Sequence, residues 1–322
     1  MGSHFDCDSF KPGDYISINL PRVALYEFHP FTISSAPEDM EYISVHMKAV
    51  GTWTKRVHQR FKDMSETNSN DMPVKVYRAD LKREQEMPHD DEVVSESHSA
   101  TSDTTAKKEP IVINGPYSSC ARYIFDCKHV VLIGGGIGIT PYASILSSLM
   151  AQFRASRTVC NHCQGANYPS NGLAEHRRLK KVDFIWVNGD QKNFEWFLHL
   201  LSQFEREQEQ YLASNPGEQR FLDIHLYFTE IKNNENIGNA PLNLVTNVWA
   251  QVAGEDIFTS LKSKTHIGRP DWDDLFRRFI AGDENASTTN DVNVFFCGPT
   301  TMGETIREKC TSHRFHFHEE KF

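Results

Sequence analysis

The sequence predicts a two-domain protein, a small antiparallel β-barrel followed by an α/β domain built on a parallel sheet. Three observations carry this. Residues 10–50 hold short alternating strands, Tyr15-Ile16-Ser17-Ile18-Asn19-Leu20 and Tyr42-Ile43-Ser44-Val45-His46-Met47, punctuated by Pro12-Gly13, Pro21, Pro30 and Pro37. From residue 129 onward, strand-like and helix-like segments alternate, as in a parallel sheet with crossover helices. At the head of that alternation, Val130 to Met150 reads VVLIGGGIGITPYASILSSLM, a strand, a glycine turn and a helix in succession.

Taken in order, the barrel strand at 15–20 is followed by His29-Pro30-Phe31-Thr32-Ile33-Ser34-Ser35-Ala36-Pro37 and the strand at 42–47. Gly51-Thr52-Trp53-Thr54 then opens a helix with Val57, Arg60 and Phe61 on related faces, Thr52 or Thr54 being its natural N-cap. The start of that helix is a candidate anion site. Residues 78–110 lack any sustained apolar period and are rich in Ser, Thr, Asp and Glu, so they are expected to form a disordered insertion. Order resumes at Ile111 to Tyr117, the last barrel strand and a turn. Strands are predicted at 129–133, 182–187, 222–228 and 292–297. Helices are predicted at 141–153, 191–209, 241–253, 271–281 and 300–312, with irregular insertions at 156–180 and 230–240. Residues 314–322 alternate like a short closing strand. The expected domains are 1–77 with 111–126, lacking part of the barrel's first strands, and 127–322.

Composition narrows the function classes. At 322 residues, 39% hydrophobic and 24% charged, the chain is of soluble globular type with long polar segments. A net charge of −9 and the lack of a concentrated basic block exclude nucleic acid as a partner. Seven cysteines, without a small secreted framework, point to a reducing compartment. No signal peptide is visible, and Met1-Gly2-Ser3-His4 reads as a cloning remnant. The chain enters mid-pattern at Phe10-Lys11-Pro12-Gly13-Asp14, as expected of a piece of a longer protein. His129 to Phe153 carries no formal charge and resembles a membrane span by hydropathy. Its four glycines and central proline argue otherwise, because freed backbone groups go unsatisfied in hydrocarbon.

The glycine turn points to a dinucleotide. Glycines let a backbone approach a pyrophosphate, and a helix N-terminus offers free N–H groups and partial positive charge. Pro141 suits the first helical turn, where its missing N–H is not needed. The pattern is G-x-G-x-x-P and departs from the G-x-G-x-x-G of the ordinary NAD fingerprint.

These motifs occur together in a definite order: His29-Pro30-Phe31-Thr32, Gly51 to Thr54, Gly134 to Pro141, Phe194-Glu195-Trp196-Phe197, Gly268-Arg269-Pro270, Cys297-Gly298-Pro299 and a terminal Phe. Together they resemble the dehydrogenase domain of the NADPH oxidase family. The Cys160-Asn161-His162-Cys163 insertion and Val182 to Phe197 most resemble its calcium-regulated, EF-hand-containing branch. The resemblance implies a ferredoxin-NADP-reductase-like pair of domains, an antiparallel β-barrel holding FAD and an α/β parallel-sheet domain holding NADPH. It further implies a haem-bearing transmembrane domain and an EF-hand domain in the parent chain. The module would then lie on the cytosolic face of a membrane, this fragment itself being soluble. Calmodulin is an implied partner, although the apolar, helical stretch Leu242 to Val252 has few basic residues.

The resemblance also assigns residues. Pro30 fixes the backbone, Phe31 and the backbone around Thr32 meet the flavin edge, and Thr32 donates to it; His29 and Ser35 belong to the same segment. His46, Met47, Lys48, Trp53 and Thr54 resemble positions around the FAD phosphates or its adenosine half. Gly135, Gly136, Ile137, Gly138, Thr140 and Pro141 would hold NADPH, with Asn188, Asp190, Arg269, Gly298 and Pro299. Cys297, Glu320 and Phe322 are assigned to the hydride-transfer site. There Cys297 positions the nicotinamide without acting as a nucleophile, and Phe322 stacks on the flavin until nicotinamide displaces it. No metal is assigned: Cys160-x-x-Cys163, with His162 and His176, lacks the second Cys pair of a structural zinc site. His316 and His318 share one face of the closing strand and make a weaker case still.

Three residues depart from the family pattern. Ser118 stands where a Gly usually follows Gly-Pro-Tyr, Lys321 where Asn precedes the last Phe, and Gly189 where relatives carry Arg. The reading is therefore a flavoprotein that passes hydride from NADPH to FAD and feeds membrane haems that reduce oxygen to superoxide. Its rivals are a ferric-chelate reductase domain and a nucleotide-sensing module without turnover.

Overall fold

The computed structural model describes residues 10–39, 42–67, 109–155, 158–159, 166–167, 178–189, 195–229, 256, 259, 261–263, 265–281 and 291–320. Two compact units divide the chain. One comprises Met1–Asp6, Ile16–Pro30 and Met47–Gly115; the other comprises Cys7–Tyr15, Phe31–His46 and Pro116–Phe322.

Strands β1 (Tyr15–Asn19), β2 (His29–Thr32) and β3 (Val112–Tyr117) form an antiparallel three-stranded sheet in the order β2-β1-β3. Polar bonds shape the connections. The Asn19 amide donates to the carbonyls of Ala24 and Glu27, each at 2.8 Å, and so sets the loop that delivers the chain to His29. The strand expected at 42–47 does not form and is corrected to a single antiparallel bridge between Ile33 and Val45. Side chains take the backbone groups a ladder would need: Ser44 N–H donates to Ser35 Oγ at 3.0 Å, and Ser34 Oγ donates to Ser44 O at 2.9 Å.

Helix α1 (Thr52–Thr67) buries Trp53 and Val57, four residues apart on one face. Arg60 on its flank makes a two-pronged ion pair with Glu109, at 2.5 and 2.8 Å. Neither threonine is the N-cap. The helix begins at Thr52, and Thr54 Oγ1 reaches back to accept from Gly51 N–H at 3.0 Å, the N3 half of a capping box.

In the second unit β4 (His129–Gly135) leads through a 3₁₀ turn, Gly136–Ile139, into α2 (Thr140–Ala155). A short antiparallel hairpin, β5 (Thr158–Val159) with β6 (Ala166–Asn167), lies within the stretch expected to be irregular. Then come β7 (Lys181–Asn188), α3 (Glu195–Ser214), β8 (Leu222–Phe228), β9 (Thr265–Ile267), α4 (Trp272–Ala281), β10 (Val292–Cys297), α5 (Thr300–His313) and β11 (His316–Glu320). The six long-range strands run parallel in the order β11-β10-β4-β7-β8-β9. All seven residues of β4 are buried, because helices cover both faces. Val130 and Leu132 join a core with Tyr142, Leu146, Phe184 and Phe197, while Val131 and Ile133 join another with Phe276, Phe279, Phe296 and Ile306.

Three further features differ from expectation. Helix α3 runs on to Ser214, with Tyr211 buried against Phe153; one turn earlier Gln208, polar but buried, clamps the start of β8: its Oε1 accepts from Phe221 and Leu222 N–H, and its Nε2 donates to Leu222 O. Strand β9 spans only three residues, too few to show a period. The 3₁₀ helix Cys120–Asp126 was not expected; Ser119 Oγ caps it by accepting from Ala121 N–H at 3.0 Å. The predicted helix 241–253, the insertion at 230–240 and most of the insertion at 78–110 lie outside the described residues. Among the described residues no helix is long and apolar enough to cross a membrane.

Toward the first residues of the parallel strands lies a buried polar cluster. Asp183 accepts from His129 Nε2 at 2.6 Å and pairs with His225 Nε2 at 3.2 Å, and Lys181 pairs with Asp223. Burial alone would raise the Asp183 carboxyl, yet the two imidazole hydrogen bonds and the Lys181 charge hold it well below the usual carboxylate range.

Candidate functional site

Strands β7, β8 and β9 follow β4 to one side, and β10 and β11 lie on the other, so the sheet changes direction between β4 and β10. Parallel sheets bind ligands at the carboxyl ends of the strands flanking such a switch point. The ladder places Cys297 opposite Gly134 there.

The glycines divide into two kinds. A Cβ on Gly138 would sit 2.2 Å from the Cys297 carbonyl oxygen, and one on Gly135 would sit 2.6 Å from Pro299 Cδ. A Cβ on Gly134 would sit 2.6 Å from Ile139 Cγ2, and one on Gly298 would sit 3.0 Å from the Gly135 backbone. These four glycines let the turn after β4 and the Cys297-Gly298-Pro299 segment pack backbone against backbone. Gly136 differs. Its φ of +58° favours glycine, and the nearest atom to an added Cβ would be Asn188 Oδ1 at 3.9 Å. Trp186 Nε1 donates to Gly136 O at 3.2 Å and steadies the turn, a role no sequence period announced. The half-buried Ile137 and the buried Thr140 and Pro141 complete the entry to the sixteen-residue α2. An open glycine turn feeding a helix N-terminus fits a dinucleotide pyrophosphate.

The neighbouring strand ends are tied together. Thr229 N–H donates to Asn188 O at 2.9 Å, and Gly268 N–H donates to Phe228 O at 2.9 Å. Gly189 follows β7 directly, and exposed Arg269 follows β9. Adjacent strands lie about 4.8 Å apart, so two strand spacings separate the β7 and β9 ends.

Cys297 is buried, and burial together with the Glu320 charge pushes its thiol up to about 12. It is a poor nucleophile, as the positioning role requires. Glu320 lies opposite Cys297 in the β10–β11 ladder and accepts from the Cys120 thiol at 3.2 Å. Cys120 was missed in the sequence, where nothing local distinguishes it. Phe322, Asp190 and Lys321 lie outside the described residues, as do Cys160, His162, Cys163, His176 and residues 242–252. His318 Nε2 pairs with Asn293 Oδ1 at 3.2 Å and its ring stacks on Phe295; His316 is exposed.

The flavin-candidate residues can be placed singly. His29 packs on Trp53, ring centroids 4.2 Å apart, while Pro30 is exposed, Phe31 half-buried and Thr32 buried. Ser35 is buried and His46 half-buried; burial lowers the His46 imidazole, whose Nδ1 pairs with Ser34 Oγ at 2.7 Å. Burial disfavours the charged imidazole, so an exposed lysine is the better candidate for a phosphate's cation than His46. Met47 is half-buried, while Lys48, near the start of α1, is exposed. Lys48 with the α1 N-terminus suits a phosphate group.

Residues 127–311 match the family model described as the ferric reductase NAD binding domain, and residues 3–121 match one described as an FAD-binding domain. NADPH oxidase 5 of Homo sapiens is 35% identical over 97% of this chain and 39% of its own length. A superoxide-generating NADPH oxidase heavy chain of Dictyostelium discoideum is 30% identical over 97% of this chain and 49% of its own. NADPH oxidase 1 of Mus musculus is 30% identical over 98% of this chain and 42% of its own. The chain thus spans less than half the length of these relatives.

Proposed function

The chain belongs to the family of the ferric reductase NAD binding domain, and on that premise we propose that it passes hydride from NADPH to FAD. The observation that carries this is the glycine turn after β4, packed against Cys297-Gly298-Pro299 at the switch point and open only at Gly136. When bound, the nicotinamide supplies the hydride and the flavin accepts it. The chain's own residues bind and orient. Gly136 and the α2 N-terminus meet the NADPH pyrophosphate, with Gly135, Ile137, Gly138, Thr140 and Pro141 shaping the turn. Asn188, Asp190 and Arg269 take the adenosine side, where an arginine at a strand end suits a 2′-phosphate. Cys297, protonated and buried, keeps water out beside Gly298 and Pro299. Pro30, Phe31, Thr32, His29 and Ser35 line the flavin, and Lys48 and the α1 N-terminus, with His46, Met47, Trp53 and Thr54, hold its phosphates. Phe322 covers the flavin face until nicotinamide arrives.

The domain boundaries we infer are 1–77 with 111–126 for FAD, 78–110 as an insertion, and 127–322 for NADPH. In the parent protein electrons pass on to haems of a transmembrane domain and reduce oxygen to superoxide, with this module on the cytosolic face. Support comes from the relatives, one of which is named superoxide-generating, and from their greater length. Membership of the EF-hand branch, with an EF-hand domain and calmodulin as partners, rests on the Cys160–Cys163 insertion and on Val182 to Phe197. The family's name keeps ferric-chelate reduction as a second reading.

Anaerobic addition of NADPH to the FAD-loaded chain tests the proposal. Bleaching of the flavin absorbance is expected. Retained FAD without bleaching would instead favour a nucleotide-sensing module. Comparing oxygen and ferric-chelate reduction by the parent protein separates the two reductase readings.

A further inference from the structure

The carboxyl ends of β10 and β11 gather more chemistry than hydride transfer by itself requires. Cys120 opens the 3₁₀ helix that Ser119 caps, and that cap presents its side chain to the sheet end. Its Sγ donates to Glu320 Oε2 at 3.2 Å, a contact between residues 200 positions apart. The β10–β11 register sets Cys297 opposite Glu320. The hydroxyl of Tyr142, buried beside this group, donates a hydrogen bond to Phe295 O at 2.8 Å.

We propose that Cys120 is a positioning residue whose thiol proton holds the Glu320 carboxylate beside Cys297 at the carboxyl ends of β10 and β11. The contact is a property of the chain alone, while its consequence for flavin reduction rests on the hydride-transfer reading above. Burial and the Glu320 charge push Cys120 up to about 12, so the thiol keeps its proton and serves as a donor. One carboxylate oxygen is thereby satisfied and the side chain confined to one arrangement. Alanine at position 120 would release it, whereas serine would keep a donor of similar size. Cys310 supplies an internal reference: burial pushes it up to about 12, with no carboxylate contributing among the described residues.

Alkylation of the cofactor-free chain with iodoacetamide, followed cysteine by cysteine by mass spectrometry across pH, tests the contact. Glu320→Gln removes the charge that holds the Cys120 proton. Cys120 should then react on the order of tenfold faster at fixed pH, the effect of one pKa unit, with Cys310 unchanged. An unchanged Cys120 rate, or equal acceleration of Cys120 and Cys310, overturns the proposal. Stopped-flow flavin reduction supplies the functional arm. Cys120→Ala should lower the limiting rate of flavin reduction without weakening NADPH binding, because the freed Glu320 side chain no longer holds one arrangement beside Cys297, while Cys120→Ser, which keeps a donor, should restore the wild-type rate. Identical limiting rates for Ser and Ala also overturn the proposal. Absence of flavin bleaching in the wild-type chain would instead sink the hydride-transfer reading, and alkylation would still decide the contact.

Discussion

Strand β4 and strand β2 carry the two candidate cofactor motifs and are held in different ways. Every residue of β4 is buried, whereas β2 buries only Thr32. The glycine turn after β4 takes its shape from close backbone contacts with Cys297 and Pro299. The chain around β2 takes its shape from individual polar bonds, those of Asn19, Ser34, Ser35 and Thr54. The first region should answer to volume, where a single atom meets an unyielding backbone. The second should answer to hydrogen bonds, each worth about 1 kcal/mol.

The sharpest way to break this contrast is a pair of glycine substitutions. Gly138→Ala drives a Cβ to 2.2 Å from a carbonyl oxygen that cannot rotate away. It should cost about 3 kcal/mol, the upper end for overpacking. Gly51→Ala meets nothing nearer than Thr54 Oγ1 at 3.9 Å. It should cost under about 1 kcal/mol, the scale of an N-cap change. Urea midpoints compare the two, and equal losses would end the distinction.

Next in size is Asp183→Asn, which removes the charge between His129 and His225. A loss of about 2 kcal/mol near pH 7 is expected for a buried charged hydrogen-bond group. The sign with pH follows from the lowered carboxyl: its contribution is complete above the unfolded value of about 4 and fades as pH falls through the folded one. Wild type and Asp183→Asn should therefore converge in strongly acidic urea titrations. A gap that widens there would contradict the assignment.

Gly189→Arg probes specificity where the volume-controlled region meets solvent. With Arg269 the nearby guanidinium, the native chain should prefer NADPH over NADH only modestly. The added fork should raise the NADPH/NADH ratio of kcat/KM by about tenfold, or about 1.4 kcal/mol. A native thousandfold preference left unchanged by Gly189→Arg would place the phosphate elsewhere.

The smallest effect belongs to the polar region. Thr54→Ala loses the bond to Gly51 N–H and should destabilise by about 0.5–1 kcal/mol, with weaker FAD binding, while Thr54→Ser should not. Thermal melts with and without FAD give both quantities. Equal behaviour of Ala and Ser would show that this hydroxyl does not organise the helix start.

Much of the parallel domain was legible beforehand. The strand at 222–228 follows from apolar alternation, the strand at 292–297 from an apolar run ended by Gly298-Pro299, and the helix after Gly138 from apolar spacing behind Pro141, signals a few residues long. Other features had no such signal. The 42–47 segment alternates like a strand, but Ser34 and Ser35 take its backbone partners. Helix α3 runs past residue 209 with Tyr211 packed on Phe153 of α2, a partner that no local period names.

The amino-acid sequence by itself determined the order of elements, the strand–turn–helix at Gly134 to Pro141, and the family resemblance, because periodicity and turn chemistry are local. Tertiary structure decided which glycine stays open, since Gly138 and Gly135 are filled by Cys297 and Pro299 from the far end of the chain. It also decided that burial lowers the His46 imidazole and that Cys120 meets Glu320. Burial and hydrogen-bond partners of that kind are set by residues distant in sequence, which no local pattern encodes.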